Sequence, residues 1–298
     1  MSFTTKTQRA QRRTFLAGLP GTLCGLCVVV VISSGCGTYS PLESHYNRGV
    51  EYYDQGRLPE AIREYRLALE DNPTHYRAQF NLAVCFHDQG KLDEAAVEYE
   101  AVLRHQPENA RALVSLASVR VERGKDGEAL ALLERAAAAD RDSGFPRSAR
   151  GAYYERKGDF DRALEAYRES VKVEPGHGPG HGGIARILLG RGDLDGARLE
   201  FDRALAADGD DVSLLLGAAE VREKQQDAKG ATLLLERALV HVRDRAALWL
   251  RLAALYEAQG RLEDAIAALW EARGVDPANA AVGPRLKTLY GRLADTEK

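Results

Sequence analysis

Residues 79–107 read QFNLAVCFHDQGKLDEAAVEYEAVLRHQP and contain two segments with regularly spaced apolar residues, separated by a glycine. The small residues Ala83 and Ala95 lie on either side of Gly90, and apolar residues recur around each of them at the spacing of a helix face. Helices this short are marginal on their own in water. The stretch therefore predicts two antiparallel helices that pack through their small residues and are separated by a glycine turn.

The pattern recurs every 34 residues along most of the chain, without insertion or deletion. In each unit the eighth residue is small and the twentieth is alanine, and the fifteenth is glycine except at Gln226. Seven units carry it, beginning at Leu42, Tyr76, Ala110, Gly144, Gly178, Val212 and Ala246. Seven matches in one register predict an array of helix pairs.

This period and pattern resemble the tetratricopeptide repeat over residues 42–279. The resemblance implies an all-α, right-handed superhelical solenoid of seven helix pairs, with repeats at 42–75, 76–109, 110–143, 144–177, 178–211, 212–245 and 246–279. Residues 280–298 continue the first-helix register without a second helix, which predicts a C-terminal capping helix with a solvated surface. Arginine departs from the family's usual residues at the seventh and eleventh positions of some units, at Arg48, Arg150, Arg120 and Arg222.

Charge argues against nucleic acid as a ligand. The net charge of −3 includes four basic residues that precede the first acid, Glu43, and without residues 1–35 the chain has 37 basic against 44 acidic residues, a net charge of −7. Nucleic-acid binding requires a basic stripe that displaces counterions. A protein partner remains compatible with this balance.

The N-terminus is typical of an export signal. A basic start, a mostly apolar stretch from Phe15 to Ile32 and small residues before Cys36 follow the order of a secretory signal peptide over residues 1–35. The small residues before Cys36 resemble a bacterial lipobox, although Ser33 stands where that motif prefers leucine. This resemblance implies lipidation of Cys36, with residues 36–41 as a short tether.

Two alternatives remain open for this segment. An uncleaved anchor helix is disfavoured by its shortness and its glycines and proline. Residues Gln11 to Leu16 resemble a twin-arginine export motif, but a general secretory signal is also compatible. Both modes of attachment place the basic end in the cytoplasm, so the repeats are expected on the periplasmic or extracellular side of the cell membrane or outer membrane.

Few residues suggest chemistry. Cys85, the one cysteine within the repeats, is predicted to be a buried apolar residue. The glycine-rich segment 176–183 predicts a bend or a late-starting helix, and we interpret His177 and His181 there as part of a hinge, not as a metal pair, because no third ligand is nearby. We find no phosphate-binding loop, zinc-protease motif or nucleophile elbow, so the sequence predicts neither an enzyme nor a cofactor nor a small-molecule substrate.

The family resemblance also implies a binding face. In tetratricopeptide repeats, the second, fifth, ninth, twelfth and thirteenth residues of the first helix line the concave surface. Here these positions indicate a candidate groove with aromatic anchors near the N-terminus, formed by Tyr46, Tyr53, Phe80, His87 and Arg111. The alternative is that the aromatic residues help adjacent first helices to pack. The carboxylate clamp of chaperone-binding family members is incomplete, because only Asn81 and Arg111 match it.

These features indicate a membrane-anchored scaffold that binds a protein or peptide segment of a cell-envelope complex during its assembly. The architecture resembles the tetratricopeptide pilotin lipoproteins of type IV pilus secretins. The alternative is an accessory or regulatory subunit that docks an envelope enzyme or a polysaccharide-export system.

Overall fold

The computed structural model describes residues 41–296, which form fifteen α-helices and no strand within that range. In chain order the helices are α1 (Pro41–Asp54), α2 (Leu58–Asp71), α3 (Tyr76–Asp88), α4 (Leu92–His105), α5 (Ala110–Glu122), α6 (Asp126–Ala139), α7 (Phe145–Arg156), α8 (Phe160–Val173), α9 (Gly178–Gly190), α10 (Leu194–Ala207), α11 (Val212–Lys224), α12 (Ala228–His241), α13 (Ala246–Ala258), α14 (Leu262–Val275) and α15 (Val282–Thr296). The predicted all-α fold of seven helix pairs and a final single helix is confirmed.

The helices divide into two compact units, unit 1 ending at Leu132 and unit 2 beginning at Leu133. Helices α1 to α5 belong to unit 1 and α7 to α15 to unit 2, and the division falls within α6. In each unit the odd-numbered helix of a pair, called helix A, packs on the even-numbered helix B that follows it. Within a unit, helix B then contacts the helix A that follows it, as α2 contacts α3 in unit 1 and α8 contacts α9 in unit 2.

Left-handed backbone ends the turn between helices A and B. Glycine at the fifteenth position has φ between 72° and 79° in six of the turns. This region is accessible to glycine at no steric cost. Gln226 takes the same conformation at φ 61° between α11 and α12. The predicted glycine break is therefore present, and its backbone shape persists where glycine is absent.

A large ring on helix B packs against the small eighth residue of helix A. The Tyr65 and Tyr167 rings are 1% exposed. A Cβ atom on Gly49 would lie 2.5 Å from the Tyr65 ring, and one on Gly151 would lie 2.7 Å from Tyr167. Because real Cβ contacts are longer than this, the small residue is what allows the two helices to approach so closely.

Cys85 is fully buried on α3. Burial raises the pKa of its thiol to about 12, so the sulfur stays protonated at neutral pH. The prediction that Cys85 acts as a small apolar residue is confirmed.

The arginines that depart from the family pattern are held by carboxylates. Arg48 lies 3.2 Å from the Glu64 carboxylate, and Arg150 pairs with Glu169. Arg120, at the eleventh position, pairs with Glu100 on α4, which is helix B of the preceding repeat. It also lies 2.8 Å from Glu128 on α6, which is helix B of its own repeat. Each of these arginines thus has an acidic partner at a position where the family usually has an apolar residue.

The expected bend or late start at residues 176–183 is wrong, because α9 begins at Gly178 and continues to Gly190. The glycines are contact points. A Cβ atom on Gly183 would lie 2.4 Å from the Tyr167 ring, and one on Gly180 would lie 2.2 Å from the Ser170 hydroxyl. Each glycine costs about 1 kcal/mol of helix propensity, but close packing against α8 holds the helix.

The capping helix α15 buries Val282, Leu286 and Leu289 against the preceding helices. Its eleventh-position residue, Tyr290, is 48% exposed, whereas the equivalent Tyr256 on α13 is 8% exposed. No helix B follows α15 within the described residues. The greater exposure of Tyr290 therefore shows how much of the eleventh-position side chain a following helix B covers in a complete repeat.

Candidate protein-binding face

The five predicted site residues lie on one face of the A helices of unit 1, called here the A-helix face. Positions 2, 5, 9, 12 and 13 of a helix fall within a narrow arc when successive residues turn by 100°. The face therefore comprises those positions of α1, α3 and α5. In the middle of this face, Val50, Val84 and Val114 are half-buried, so they belong neither to the core nor to the fully exposed surface.

Tyr46 and Phe80 occupy the fifth position of successive repeats. The centroid of the Tyr46 ring lies 5.0 Å from that of His75 and 6.1 Å from that of Tyr65. The Phe80 ring meets Tyr99 edge-on at 5.5 Å. Both rings remain partly exposed, so they pack the neighbouring helices and still present apolar area to a ligand.

Tyr53 and His87, at the twelfth position of their repeats, each reach the next helix A. The Tyr53 hydroxyl donates to Asp88 at 2.7 Å, and His87 Nε2 lies 3.1 Å from Glu122 Oε1. Burial and the Asp88 carboxylate raise the pKa of Tyr53. These two contacts between neighbouring repeats fix the positions of both carboxylates. Each contact joins residues 35 apart in the chain, and this spacing is the sequence signal that could have predicted it.

Arg111 is exposed in the first turn of α5. Asn81, the other residue that matches the family's carboxylate clamp, donates to the Tyr65 hydroxyl at 3.3 Å and so faces the core. The structure thus places the five predicted residues on one face and shows that four of them also join neighbouring elements. It leaves the clamp with one residue, Arg111, in an exposed position.

Ser148, His177 and Glu174 in unit 2 have the residue types of a hydrolase triad, and the first two are buried while Glu174 is exposed. His177 Nε2 lies 2.8 Å from Ser148 Oγ, and Nδ1 lies 3.4 Å from Glu174. However, the Ser148 hydroxyl also lies in position to donate to the Phe145 carbonyl oxygen at 2.9 Å, and with its proton there Oγ accepts from His177 Nε2. The cluster therefore ties the start of α7 to the start of α9.

His181 is buried nearby and bonds different partners. Its Nδ1 lies 2.5 Å from Glu200 and its Nε2 lies 2.9 Å from the Pro175 carbonyl oxygen. The two histidines thus anchor the beginning of α9 through separate contacts, in place of the hinge expected there. Within residues 41–296, no group of three or more histidine, cysteine, aspartate or glutamate side chains could hold a metal ion.

The predicted signal peptide, the tether and Cys36 lie outside the residues that the structure describes. Among the residues that it does describe, none of the helices has the length and apolar character needed to cross a bilayer.

Models of the tetratricopeptide repeat match residues 46–100, 86–147, 148–212 and 246–279, together more than half of the chain. No curated protein sequence matches significantly.

Solved structures share the fold at low identity. A tetratricopeptide repeat protein from Parabacteroides merdae is 21% identical, with 84% of this chain and 98% of that one aligned and a TM-score of 0.51. The pilF protein of Pseudomonas aeruginosa is 16% identical, with coverage of 75% and 97% and a TM-score of 0.58.

The APC/C hetero-tetramer Cut9–Hcn1 gives 15% identity, coverage of 83% and 49%, and a TM-score of 0.60, so this chain spans about half of that relative's length. At these identities the structures show a shared fold only. The sequence-model matches and the fold agree, and the chain belongs to the tetratricopeptide repeat family.

Proposed function

We propose that this protein is a scaffold that binds a segment of a partner protein on the A-helix face of unit 1. The observation that carries the proposal is the partial exposure of Tyr46 and Tyr53 on α1 and of Phe80 on α3, all on the A-helix face. Aromatic side chains that are already ordered lose little entropy on binding and commonly dominate interface energies. Their contacts with Tyr65, Asp88 and Tyr99 hold them in place before a ligand arrives.

We further propose that the scaffold works at the cell envelope, tethered by lipid on Cys36 with the repeats outside the cytoplasm. The support is the order of basic, apolar and small residues before Cys36. Assembly of an envelope complex follows from that location together with a protein-binding fold. We propose binding without catalysis, because in the triad-like cluster found within residues 41–296 the serine hydroxyl lies in position to donate to a backbone carbonyl oxygen.

Partner capture tests the binding face. Full-length protein is used to isolate partners from detergent-solubilised envelopes, beside a variant carrying Tyr46→Ala, Tyr53→Ala and Phe80→Ala. The matched control is Phe160→Ala, which removes a half-exposed ring from α8, one of the B helices of unit 2. Circular dichroism establishes that all forms fold.

Loss of a specific partner from the triple variant alone supports the proposal. Capture of the same proteins by all three forms overturns it. The identity of the partner also separates a role in assembly from docking of an envelope enzyme or polysaccharide-export system.

A further inference from the structure

We infer that the A-helix face of unit 1 accepts an amphipathic helix with acidic residues along one flank and basic residues along the other. The inference rests on the proposed function and adds the chemistry of the partner. It is carried by opposite charges at the two edges of the face, with an apolar strip between them.

One edge of the face is cationic. Arg77 and Arg111 are exposed at the second position of repeats 2 and 3, in the first turns of α3 and α5. The positive end of the helix macrodipole disfavours cations there, so neither arginine is placed to stabilise its own helix. The edge begins at repeat 2, because the equivalent residue of repeat 1 is Glu43.

The opposite edge is anionic. Helices α1, α3 and α5 end in Asp54, Asp88 and Glu122, at the negative end of each macrodipole. Hydrogen bonds from Tyr53 to Asp88 and between His87 and Glu122 hold two of these carboxylates in fixed positions. Tyr53 itself adds no charge to this edge, because it donates as a neutral phenol.

Unit 2 lacks this arrangement. Its A helices end in Arg156, Gly190, Lys224 and Ala258, and their second residues are Phe145, Pro179, Ser213 and Ala247. Cations at helix C-termini follow the macrodipole. At the second and thirteenth positions, charges that oppose the macrodipole are therefore confined to unit 1, where the macrodipole itself does not account for them.

An apolar strip separates the edges. It consists of Phe80 and Val84 on α3 and Val114 and Val121 on α5, all half-buried. A ligand that covers this strip must bring apolar side chains to it and charged side chains to both edges. Complementary charges are then acidic opposite Arg77 and Arg111, and basic opposite the three carboxylates.

The dimensions favour a helix over an extended chain. The second and thirteenth positions are separated by about 16 Å along a helix axis. A bound helix is about 10–12 Å wide with its side chains, and its long charged side chains span the remainder. In an extended strand, successive side chains point to opposite faces, so a strand that directs its apolar side chains at the strip directs the alternate ones away from both edges. Helix-in-groove recognition uses this kind of apolar stripe with charged flanks.

Three synthetic 15-residue helical peptides test the inference by fluorescence anisotropy against the full-length protein in detergent micelles. They share one leucine stripe and carry one acidic and one basic flank, two acidic flanks, or two basic flanks. We expect the mixed peptide to bind about tenfold more tightly than either of the others at low salt, because only it pairs both edges. Binding must weaken with added salt.

Charge reversal supplies the second arm. Arg77→Glu combined with Arg111→Glu makes both edges acidic, so the peptide with two basic flanks should become the tightest ligand. Arg168→Glu combined with Arg198→Glu makes the same charge change on exposed residues of unit 2 and should leave the original order of affinities.

Equal affinity for the three peptides, no binding of any of them, or an unchanged order after reversal at Arg77 and Arg111 overturns the inference. The proposed function would stand or fall separately, because capture by the aromatic variants does not depend on the charged edges.

Discussion

Gln226 is the one residue other than glycine at a fifteenth position, and its φ of 61° lies in the left-handed region. That conformation costs a residue with a Cβ atom about 1–2 kcal/mol. We expect Gln226→Gly to raise the free energy of unfolding by about 1 kcal/mol, after the greater chain entropy of glycine is subtracted. Urea denaturation followed by circular dichroism measures it.

Gly90→Ala provides the converse. Gly90 has φ 73° and nothing within 4 Å of an added Cβ atom, so the loss of about 1–2 kcal/mol expected there comes from the backbone alone. Equal stability of Gln226→Gly and the wild type would mean that the turn of repeat 6 relaxes to relieve its strain.

Burial lowers the pKa of His177, and the fold therefore favours its neutral ring. The groups facing the ring are Ser148, Glu174 and His181. A histidine whose folded-state pKa is depressed contributes stability that is complete above its ordinary pKa, near 6.5, and is lost as the pH falls below it.

We therefore expect wild-type protein to lose more stability between pH 7.5 and pH 5.5 than His177→Gln, which keeps a donor toward Ser148 without a titrating ring. Thermal melts at several pH values measure the difference. His105→Gln, which removes an exposed imidazole at the end of α4, is the control. A variant with the wild-type pH profile would show that His177 does not titrate during unfolding.

At the scale of the element, α9 separates two effects of glycine. Gly183 faces the buried Tyr167 ring at a distance that excludes a methyl group, whereas Gly190 has nothing within 4 Å of an added Cβ atom. We expect Gly183→Ala to destabilise the protein by about 1–3 kcal/mol through overpacking. Gly190→Ala should stabilise it by about 0.5–1 kcal/mol through helix propensity. Chemical denaturation of both variants distinguishes them, and equal effects would contradict the packing argument.

Helix α9 also separates the features that the sequence predicted from those that it did not. The residues that recur at fixed positions predicted the helix pairs and their turns. The twentieth-position alanine allows helix B to pack closely on helix A of the same repeat, and the glycine adopts the left-handed backbone of the turn. The start of α9 was predicted wrongly because glycine propensity is a local quantity, while the Tyr167 ring that accepts Gly183 lies on the preceding helix B. The Ser148–His177 bond joins residues 29 apart, and no sequence period indicates it.

At the scale of the whole molecule, a repeat array builds its core from nearest neighbours, and the 34-residue period was therefore enough to predict the fold class. The candidate site was less predictable. The family pattern placed five residues on the A-helix face, but the bond from Tyr53 to Asp88 crosses between repeats at a different spacing. Such side-chain pairs depend on the separation of neighbouring helices, which the period does not specify.

Membrane attachment is the remaining prediction, and it concerns the chain as a unit. A single acyl chain binds a bilayer only marginally, whereas two or more give stable anchoring. Diacylglycerol on Cys36 should therefore keep the protein in the membrane fraction through a salt wash.

We expect Cys36→Ala to lose incorporated radiolabelled palmitate and to retain the mass of the uncleaved precursor, as measured by mass spectrometry. Cys24→Ala and Cys27→Ala alter cysteines of the same segment and should behave as wild type, because neither follows the small residues of the lipobox. Wild-type protein that carries residues 1–35 and no lipid would show instead that the apolar segment is an uncleaved anchor.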